Sequence, residues 1–174
     1  RAAERGEARD LLLVAGLTGL RPSNVRLLRH DEIEDSVVRI PPEKSKNSRW
    51  TVVPLSSLVQ QVLDEKCGNG SALVFPARGT SEKAKSVRNL RRTFKAACER
   101  AGMEWNVALY DLRHFFASQL AKHGATEQQI GRLLCHVGQT VTSRYVHQDI
   151  QNLRHFVDEL AERYLSAPGL QCLR

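Results

Sequence analysis

The chain has 174 residues, enough for one domain with a hydrophobic core of its own. Lysine and arginine number 26 against 19 aspartate and glutamate residues, and this net charge of +7 is compatible with a nucleic-acid partner or with simple solubility. The sequence has no apolar run of membrane-spanning length, no signal peptide and no CxxC pair among its four cysteines, which argues against a membrane protein, a cysteine metal site and a disulfide scaffold and favours a reducing cytoplasm.

The first predicted elements are two helices separated by a glycine turn. The chain begins at Arg1 rather than at methionine, so we expect a further N-terminal region in the whole protein. Apolar residues at helical spacing predict a helix over 4–17, and Gly19 interrupts it. A second helix restarts with Pro22 near its first turn, where proline is tolerated.

Two β-branched runs follow, SVVRIP (36–41) and WTVVPL (50–55). They predict strands, which the polar stretch EKSKNSR joins as a hairpin. The segment DEIE (31–34) is a candidate for a third short strand. We therefore expect an α+β fold that is mainly α, with a small antiparallel sheet of about three strands. Further helices are predicted near 56–66, 84–101, 111–123, 126–134, 139–146 and 150–165.

Local signals refine this outline. Thr126 and Gln129 form a capping-box pattern that opens one of the helices. Trp50 and Trp105 are interpreted as packing residues. There is no internal repeat and no clear interdomain linker, so we interpret 1–174 as one domain.

Several reactive or basic side chains stand at predicted helix ends and at the hairpin. Arg21 and Arg113 lie at helix starts, where free N–H groups favour anions and a forked guanidinium adds donors for phosphate oxygens. Lys46 lies at the hairpin tip, His136 follows a helix end, and Tyr145 comes nine residues later. Such a set suits a phosphodiester held by two arginines, a lysine that protonates a leaving alkoxide, and a tyrosine nucleophile.

Each of these residues also has an ordinary interpretation. Taken alone, Arg21 is a surface arginine and Lys46 a solvated loop lysine. Arg113 can pair with a neighbouring acid, although the positive end of a helix disfavours an arginine unless an anion lies nearby. His136 can cap the preceding helix, and Tyr145 can be a core aromatic residue.

Four stretches follow one another in a recognisable order and spacing: TGLRPSNVRLLR (18–29), KSKNSRWTVVPL (44–55), YDLRHFFASQLAKHGA (110–125) and IGRLLCHVGQTVTSRYVH (130–147). In these stretches the chain resembles the catalytic domain of the tyrosine recombinases, the phage integrase family. The resemblance covers essentially the whole chain. It implies a mainly helical catalytic domain with a small antiparallel sheet, and a helical core-binding domain in the N-terminal region that this sequence lacks.

The resemblance also implies a role for each residue. Arg21 and Arg113 would bind the non-bridging oxygens of the scissile phosphate, and Lys46 would protonate the departing 5′ oxygen. His136 would hydrogen-bond the phosphate and help to position Tyr145, the nucleophile of a 3′-phosphotyrosyl intermediate. A 5′ hydroxyl of a partner strand would then attack that intermediate, so the resemblance implies no metal, no ATP and no cofactor.

Two positions depart from the family pattern. Tyr110 stands where the family usually has histidine. Tyrosine, with a reference pKa of about 10, is a poor proton shuttle at neutral pH but can still donate a hydrogen bond, so we expect an active, slower enzyme. His114 is a poorer substitute, because it points about a third of a turn away from Arg113. Asn24 stands where the family often has glutamate, a supporting position.

The resemblance makes other basic residues candidates for DNA contacts. Lys44 is a nearby alternative to Lys46 as the proton donor and a candidate for DNA binding. The basic stretch 78–95 is ordinarily a solvated helix face, whereas in a DNA-binding protein it supplies phosphate or groove contacts. The candidates in it are Lys83, Lys85, Arg88, Arg91 and Arg92.

The implied function is that of a cytoplasmic site-specific recombinase or integrase of double-stranded DNA, of a phage, a mobile element or a chromosomal system. The alternatives are a type IB topoisomerase-like enzyme that nicks and reseals, and a DNA-binding module that has lost catalysis, which Tyr110 alone supports. We expect a homotetramer on DNA, while the isolated domain is compatible with a monomer. Residues 150–174 are predicted either to dock on their own core or to exchange between subunits.

Overall fold

A computed structural model of the protein describes residues 2–45, 48–68, 70–76, 90–103, 107–134 and 150–166. The helices of this part are α1 (Ala2–Thr18), α2 (Pro22–Arg26), α3 (Ser57–Asp64), α4 (Leu90–Arg100), α5 (Asp111–Lys122), α6 (Glu127–Leu133) and α7 (Arg154–Ser166). The strands are β1 (Ile33–Glu34), β2 (Val37–Ile40) and β3 (Thr51–Pro54), and short 3-10 turns span His30–Glu32 and Pro42–Lys44. The mainly helical α+β fold is confirmed. None of the helices in the described ranges is long and apolar enough to cross a membrane.

The three strands form one antiparallel sheet in the order β1-β2-β3. Val38 pairs with Ile33 on one side and with Val53 on the other. Asp35 and Ser36 connect β1 to β2 with φ angles of 51° and 57°. Positive φ at both central residues matches the right-handed twist of the flanking strands, so a two-residue loop is enough. The third strand, expected from DEIE, is confirmed.

Helix α1 lies at the centre of the domain and packs against α2, α3, α4, α5 and α7. This position explains why its residues from Leu13 to Thr18 are buried on every side rather than along one stripe. The core that it shares with its neighbours includes Leu11, Val14, Leu17, Val59, Leu63, Phe116, Leu120, Val157 and Leu160.

The predicted helix boundaries hold within a few residues, with one informative difference. The helix predicted near 150–165 is interrupted at Leu153, and α7 begins only at Arg154. The N–H of Leu153 bonds to the carbonyl of Ile150 at 3.0 Å, and that of Phe156 to the carbonyl of Leu153 at 3.3 Å. Both are three-residue bonds, which wind the chain more tightly than an α-helix does. The helix predicted near 139–146 and residues 84–89 lie outside the described residues.

The prediction for Trp50 is wrong. Its side chain is 46 % exposed, because it stands just before β3 and takes no part in the strand's buried faces. Trp105 lies outside the described residues.

Helix α7 packs on the core of its own chain. Phe156, Val157 and Leu160 are buried there. The guanidinium of Arg154 donates to the carbonyls of Leu55 and Ser36, at 3.2 Å each, so α7 also holds the turn between β1 and β2.

Candidate active site

The turn between α1 and α2 requires glycine at position 19. Gly19 ends α1 with a φ of +63° and an N–H bond to the carbonyl of Ala15. A Cβ atom at this position would lie 2.4 Å from Cδ1 of Phe116 and 3.0 Å from a methyl group of Leu134. The Phe116 ring of α5 can therefore pack against this turn only because position 19 has no side chain.

Arg21 is the residue that caps the start of α2. Its φ and ψ of −60° and 138° are non-helical, and its carbonyl accepts the N–H groups of Asn24 at 2.8 Å and Val25 at 3.1 Å. Pro22, at the first helical position, has a fixed φ that suits a helix start. These constraints fix the backbone of Arg21 at the start of α2. The side chain of Arg21, two residues after Gly19, is partly buried.

Arg113 is buried in the first turn of α5, with only 4 % of its surface exposed. Its Nη1 atom donates to the carbonyl of Gly19 at 2.6 Å, and its Nη2 atom donates to the carbonyl of Leu134. The forked guanidinium thus joins the turn that carries Arg21 to the end of α6. Of the residues predicted for catalysis, the structure brings Arg21 and Arg113 to the same region.

Tyr110 stands at the surface, immediately before α5. Its side chain is 44 % exposed, and its ring meets the ring of His114 edge to face, with 5.3 Å between the ring centroids. The next residue, Asp111, accepts the backbone N–H of Ala108 through Oδ2 at 2.7 Å. That bond fixes the backbone that enters α5. The Tyr110 phenol and the His114 imidazole, four residues apart, lie on one exposed face.

The hairpin carries two candidate lysines, of which the structure describes only Lys44. Its Nζ atom lies 2.6 Å from Oε1 of Glu32, a carboxylate with only 7 % of its surface exposed. Lys46 lies outside the described residues, as do His136 and Tyr145. The catalytic roles of these three residues stay predictions.

The DNA-binding candidates are described in part. Arg91 and Arg92 are exposed in the first turn of α4. Lys83, Lys85 and Arg88 lie outside the described residues.

Close to the Lys44 ion pair lies a second one, between Arg29 and Asp31. The guanidinium of Arg29 donates to both carboxylate oxygens of Asp31 at 3.0 Å. This hydrogen bonding holds the pKa of the Asp31 carboxyl below its usual range. Between residues 2 and 166, where the structure describes the chain, no three histidine, cysteine or acidic residues are grouped as metal ligands would be.

Sequence reasoning missed three contributors to this site. The role of Gly19 was signalled only as a helix breaker, and the carbonyl of Leu134 has no side-chain signature at all. In the sequence Glu32 is one of several acidic residues in the segment 31–34, and nothing there indicates that it is buried. Their roles depend on residues that are distant in the chain.

Comparisons with known proteins fit this arrangement. Tyrosine recombinase XerC of Xylella fastidiosa strain M23 is 33% identical over 156 residues, covering 86% of this chain and 51% of the relative. Tyrosine recombinase XerD of Corynebacterium glutamicum is 31% identical over 161 residues, covering 85% of this chain and 51% of the relative. The chain therefore spans about half the length of the curated relatives it matches.

Solved structures show the same fold at lower identity. An integrase from mycobacterium phage Brujita superposes with a TM-score of 0.69 at 20% identity, covering 91% of this chain and 53% of that chain. The XerH site-specific recombinase, in a pre-cleavage complex with difH substrate, superposes with a TM-score of 0.58 at 17% identity, covering 91% of this chain and 45% of that chain. The model of the phage integrase family matches residues 2–152. The chain belongs to the phage integrase family.

Proposed function

We propose that this protein is the catalytic part of a site-specific recombinase or integrase that cuts and rejoins double-stranded DNA. The observation that carries the proposal is the buried guanidinium of Arg113 against the turn that carries Arg21. A forked guanidinium held by two carbonyls at a helix start is suited to donating further hydrogen bonds to the oxygens of a DNA phosphate. The curated relatives named tyrosine recombinase support the same reading.

The proposed reaction exchanges one phosphate ester for another. The hydroxyl oxygen of Tyr145 attacks the phosphorus and its proton passes to water, while the bond from phosphorus to the 5′ oxygen breaks. Arg21 and Arg113 donate hydrogen bonds to the non-bridging oxygens, whose negative charge grows in the transition state. Lys46 gives its proton to the 5′ oxygen, which leaves as a hydroxyl, while His136 hydrogen-bonds the phosphate and helps to position the nucleophile.

Rejoining reverses these steps with a different strand. The 5′ hydroxyl of the partner strand attacks the phosphotyrosine and returns the phenol to Tyr145. The phosphotyrosyl ester retains the energy of the original bond, so the proposed scheme uses no ATP, no metal and no cofactor.

In this scheme Tyr110 stands at the position where the family usually has a histidine. Its exposed phenol is suited to donating a hydrogen bond to a phosphate oxygen. The His114 imidazole lies against its ring, with 5.3 Å between the ring centroids.

Double-stranded DNA is the proposed partner, in a cytoplasmic location. The net charge of +7 and the exposed Arg91 and Arg92 support it, as does a structural neighbour solved with its DNA substrate. On DNA we propose a homotetramer. Residues 150–174 are the proposed subunit-exchange element, and the alternative that they dock on their own core has the support of the buried Phe156, Val157 and Leu160.

Covalent trapping on nicked suicide DNA tests the proposal. The full-length protein is incubated with DNA drawn from the flanks of its own gene, and adducts that resist denaturant are counted. Wild type is compared with Tyr145→Phe, and Tyr164→Phe serves as the control because Tyr164 packs partly buried against the core. We expect an adduct with wild type and the control and none with Tyr145→Phe.

Two other outcomes would contradict the proposal. An adduct that survives Tyr145→Phe would show that another residue is the nucleophile. Tight binding to a verified target site without any adduct would favour a DNA-binding module that has lost catalysis.

A further inference from the structure

Glu32 is a charged residue in an unusual place. It ends the 3-10 turn before β1, and its carboxylate is 93 % buried. A buried carboxylate is costly unless hydrogen bonds and a cation balance it, and Glu32 has both. Its Oε2 atom accepts the backbone N–H of Arg29 at 2.9 Å, and its Oε1 atom accepts the ammonium of Lys44 at 2.6 Å.

The ion pair ties together two segments on either side of β1 and β2. Lys44 ends the 3-10 turn that follows β2, twelve residues after Glu32. The next residue, Ser45, is buried, and its hydroxyl lies 3.4 Å from Oγ1 of Thr51, the first residue of β3. The N–H of Ser45 also bonds to the carbonyl of Pro42 at 3.0 Å. The leg of the hairpin that leads to Lys46 is therefore fixed through Lys44 and Ser45.

This arrangement separates the roles of the two candidate lysines. If Lys44 turned to a DNA phosphate, it would leave the buried carboxylate of Glu32 without its cation. The geometry points to Glu32 and Lys44 as a positioning pair that anchors the hairpin carrying Lys46, and not to Lys44 as a DNA contact or proton donor. This inference rests on the proposed function, in which Lys46 supplies a proton to the departing 5′ oxygen.

The inference assigns the pair an effect on one chemical step. When the bond from phosphorus to the 5′ oxygen breaks, that oxygen takes the electron pair and needs a proton from Lys46. If a sulfur atom replaces the 5′ oxygen, the thiolate leaves without a proton. Loss of the anchor is therefore expected to slow cleavage of ordinary DNA, while a 5′-bridging phosphorothiolate substrate should restore the rate.

The experiment uses the full-length protein and three variants. Glu32→Gln keeps an oxygen for the N–H of Arg29 but loses the charge of the pair. Glu32→Gln combined with Lys44→Met removes both partners without leaving a buried charge. Asp31→Asn is the matched control, because it removes a carboxylate charge from the same turn in an exposed ion pair.

Two readouts are measured. Hydrogen exchange at the backbone amides of Lys44, Ser45 and Ser48 reports on the anchor without any DNA; these amides bond to the carbonyls of Pro41, Pro42 and Ser45. Single-turnover cleavage is then measured on ordinary and phosphorothiolate DNA, with Lys46→Ala as the reference for a missing proton donor. General acid catalysis contributes about 10²–10⁴-fold, so we expect both Glu32 variants to lose roughly tenfold or more on ordinary DNA and to recover on the sulfur substrate.

The outcomes are distinct. Faster exchange confined to the hairpin, with cleavage recovered on the sulfur substrate and unchanged behaviour of Asp31→Asn, supports the inference. Unchanged exchange, or a loss of cleavage that sulfur does not repair, overturns it.

DNA affinity separates the positioning pair from a direct contact. If Lys44 contacts DNA in the wild-type protein, the variant that combines Glu32→Gln with Lys44→Met, which keeps the net charge, binds DNA more weakly, and this also overturns the inference. If wild type forms no adduct while the exchange still changes in the variants, the proposed function fails and the anchor stands.

Discussion

At the residue scale, Arg113 combines a structural role with a proposed catalytic role. Its guanidinium holds the carbonyls of Gly19 and Leu134, and in the proposed reaction it also donates to a phosphate oxygen. A planar group with five N–H donors in fixed directions can serve several acceptors at once, whereas an ammonium group cannot reproduce that fork. The charge alone is therefore not sufficient at this position.

We expect Arg113→Lys to lower both stability and cleavage. A buried carbonyl left without its donor costs about 1–3 kcal/mol, and the loss of one transition-state donor costs roughly 10²–10³-fold in rate. Denaturant unfolding and single-turnover cleavage measure the two effects separately. Unchanged stability would mean that the two carbonyl contacts do not hold the site together.

Gly19→Ala tests the close approach of α5 to the turn. We expect a loss of about 2–5 kcal/mol, since a positive φ costs about 1–2 kcal/mol and overpacking against Phe116 adds about 1–3 kcal/mol. Gly68→Ala is the control, because Gly68 has a φ of +75° but an added Cβ would meet nothing within 4 Å. Denaturant unfolding of the two variants isolates the packing contribution, and equal losses would contradict it.

Tyr110→His restores the residue usual in the family. We expect an enzyme that remains active and cleaves faster near neutral pH, because an imidazole side chain ordinarily exchanges protons there and a phenol ordinarily does not. Single-turnover rates between pH 6 and 9 measure the difference, with Tyr110→Phe as the comparison that lacks any polar group. Abolished cleavage in Tyr110→His would show that the phenol has a role that imidazole cannot fill.

At the scale of elements, periodic signals were enough to predict most helices and strands. The capping box at Thr126 is confirmed in detail: its Oγ1 atom accepts the N–H of Gln129 at 3.3 Å, and Gln129 Oε1 accepts the N–H of Thr126 at 2.8 Å. The three-residue winding near Leu153 was not predictable, because apolar residues at spacings of three fit an α-helix and a tighter turn alike. The prediction that Trp50 packs in the core was wrong because the sequence next to a strand does not indicate whether an aromatic side chain points to the core or to solvent.

Thr126→Ala tests the contribution of the capping box to α6. Loss of the side-chain acceptor is expected to cost about 1 kcal/mol in the free energy of unfolding. Thr126→Ser keeps the hydroxyl and is expected to stay within a few tenths of a kcal/mol of wild type. Denaturant unfolding compares the two, and a similar loss in both variants would place the effect in the methyl group of the threonine.

At the scale of the whole molecule, the sequence supports a prediction of which residues act but contains no signal of how they are held. Arg21 and Arg113 became catalytic candidates from their positions at helix starts, and their catalytic roles stay predictions. The contact between Arg113 and Gly19 joins residues 94 positions apart, and no local pattern encodes such a pairing. The Glu32–Lys44 pair was missed for a similar reason, because burial of a carboxylate depends on what folds over it.

The net charge of +7 makes the salt dependence of DNA binding a test of the whole surface. Each phosphate neutralised contributes a slope of about −0.9 in log K against log salt. We expect the double variant Arg91→Gln/Arg92→Gln to reduce the magnitude of that slope by about two. The matched control Lys122→Gln/Arg163→Gln removes the same charge from α5 and α7; an equal reduction in the control would indicate a long-range charge effect rather than contacts by α4.

The contacts of Arg113 also bear on the order in which the protein is made. Gly19 leaves the ribosome 94 residues before Arg113, and Leu134 follows after a further 21 residues. A polypeptide released by interrupted translation before Leu134 contains both arginines but lacks the second carbonyl that holds the guanidinium. The arrangement in which two carbonyls hold the Arg113 guanidinium therefore forms only after both segments have been made, and a chain interrupted before Leu134 cannot complete it.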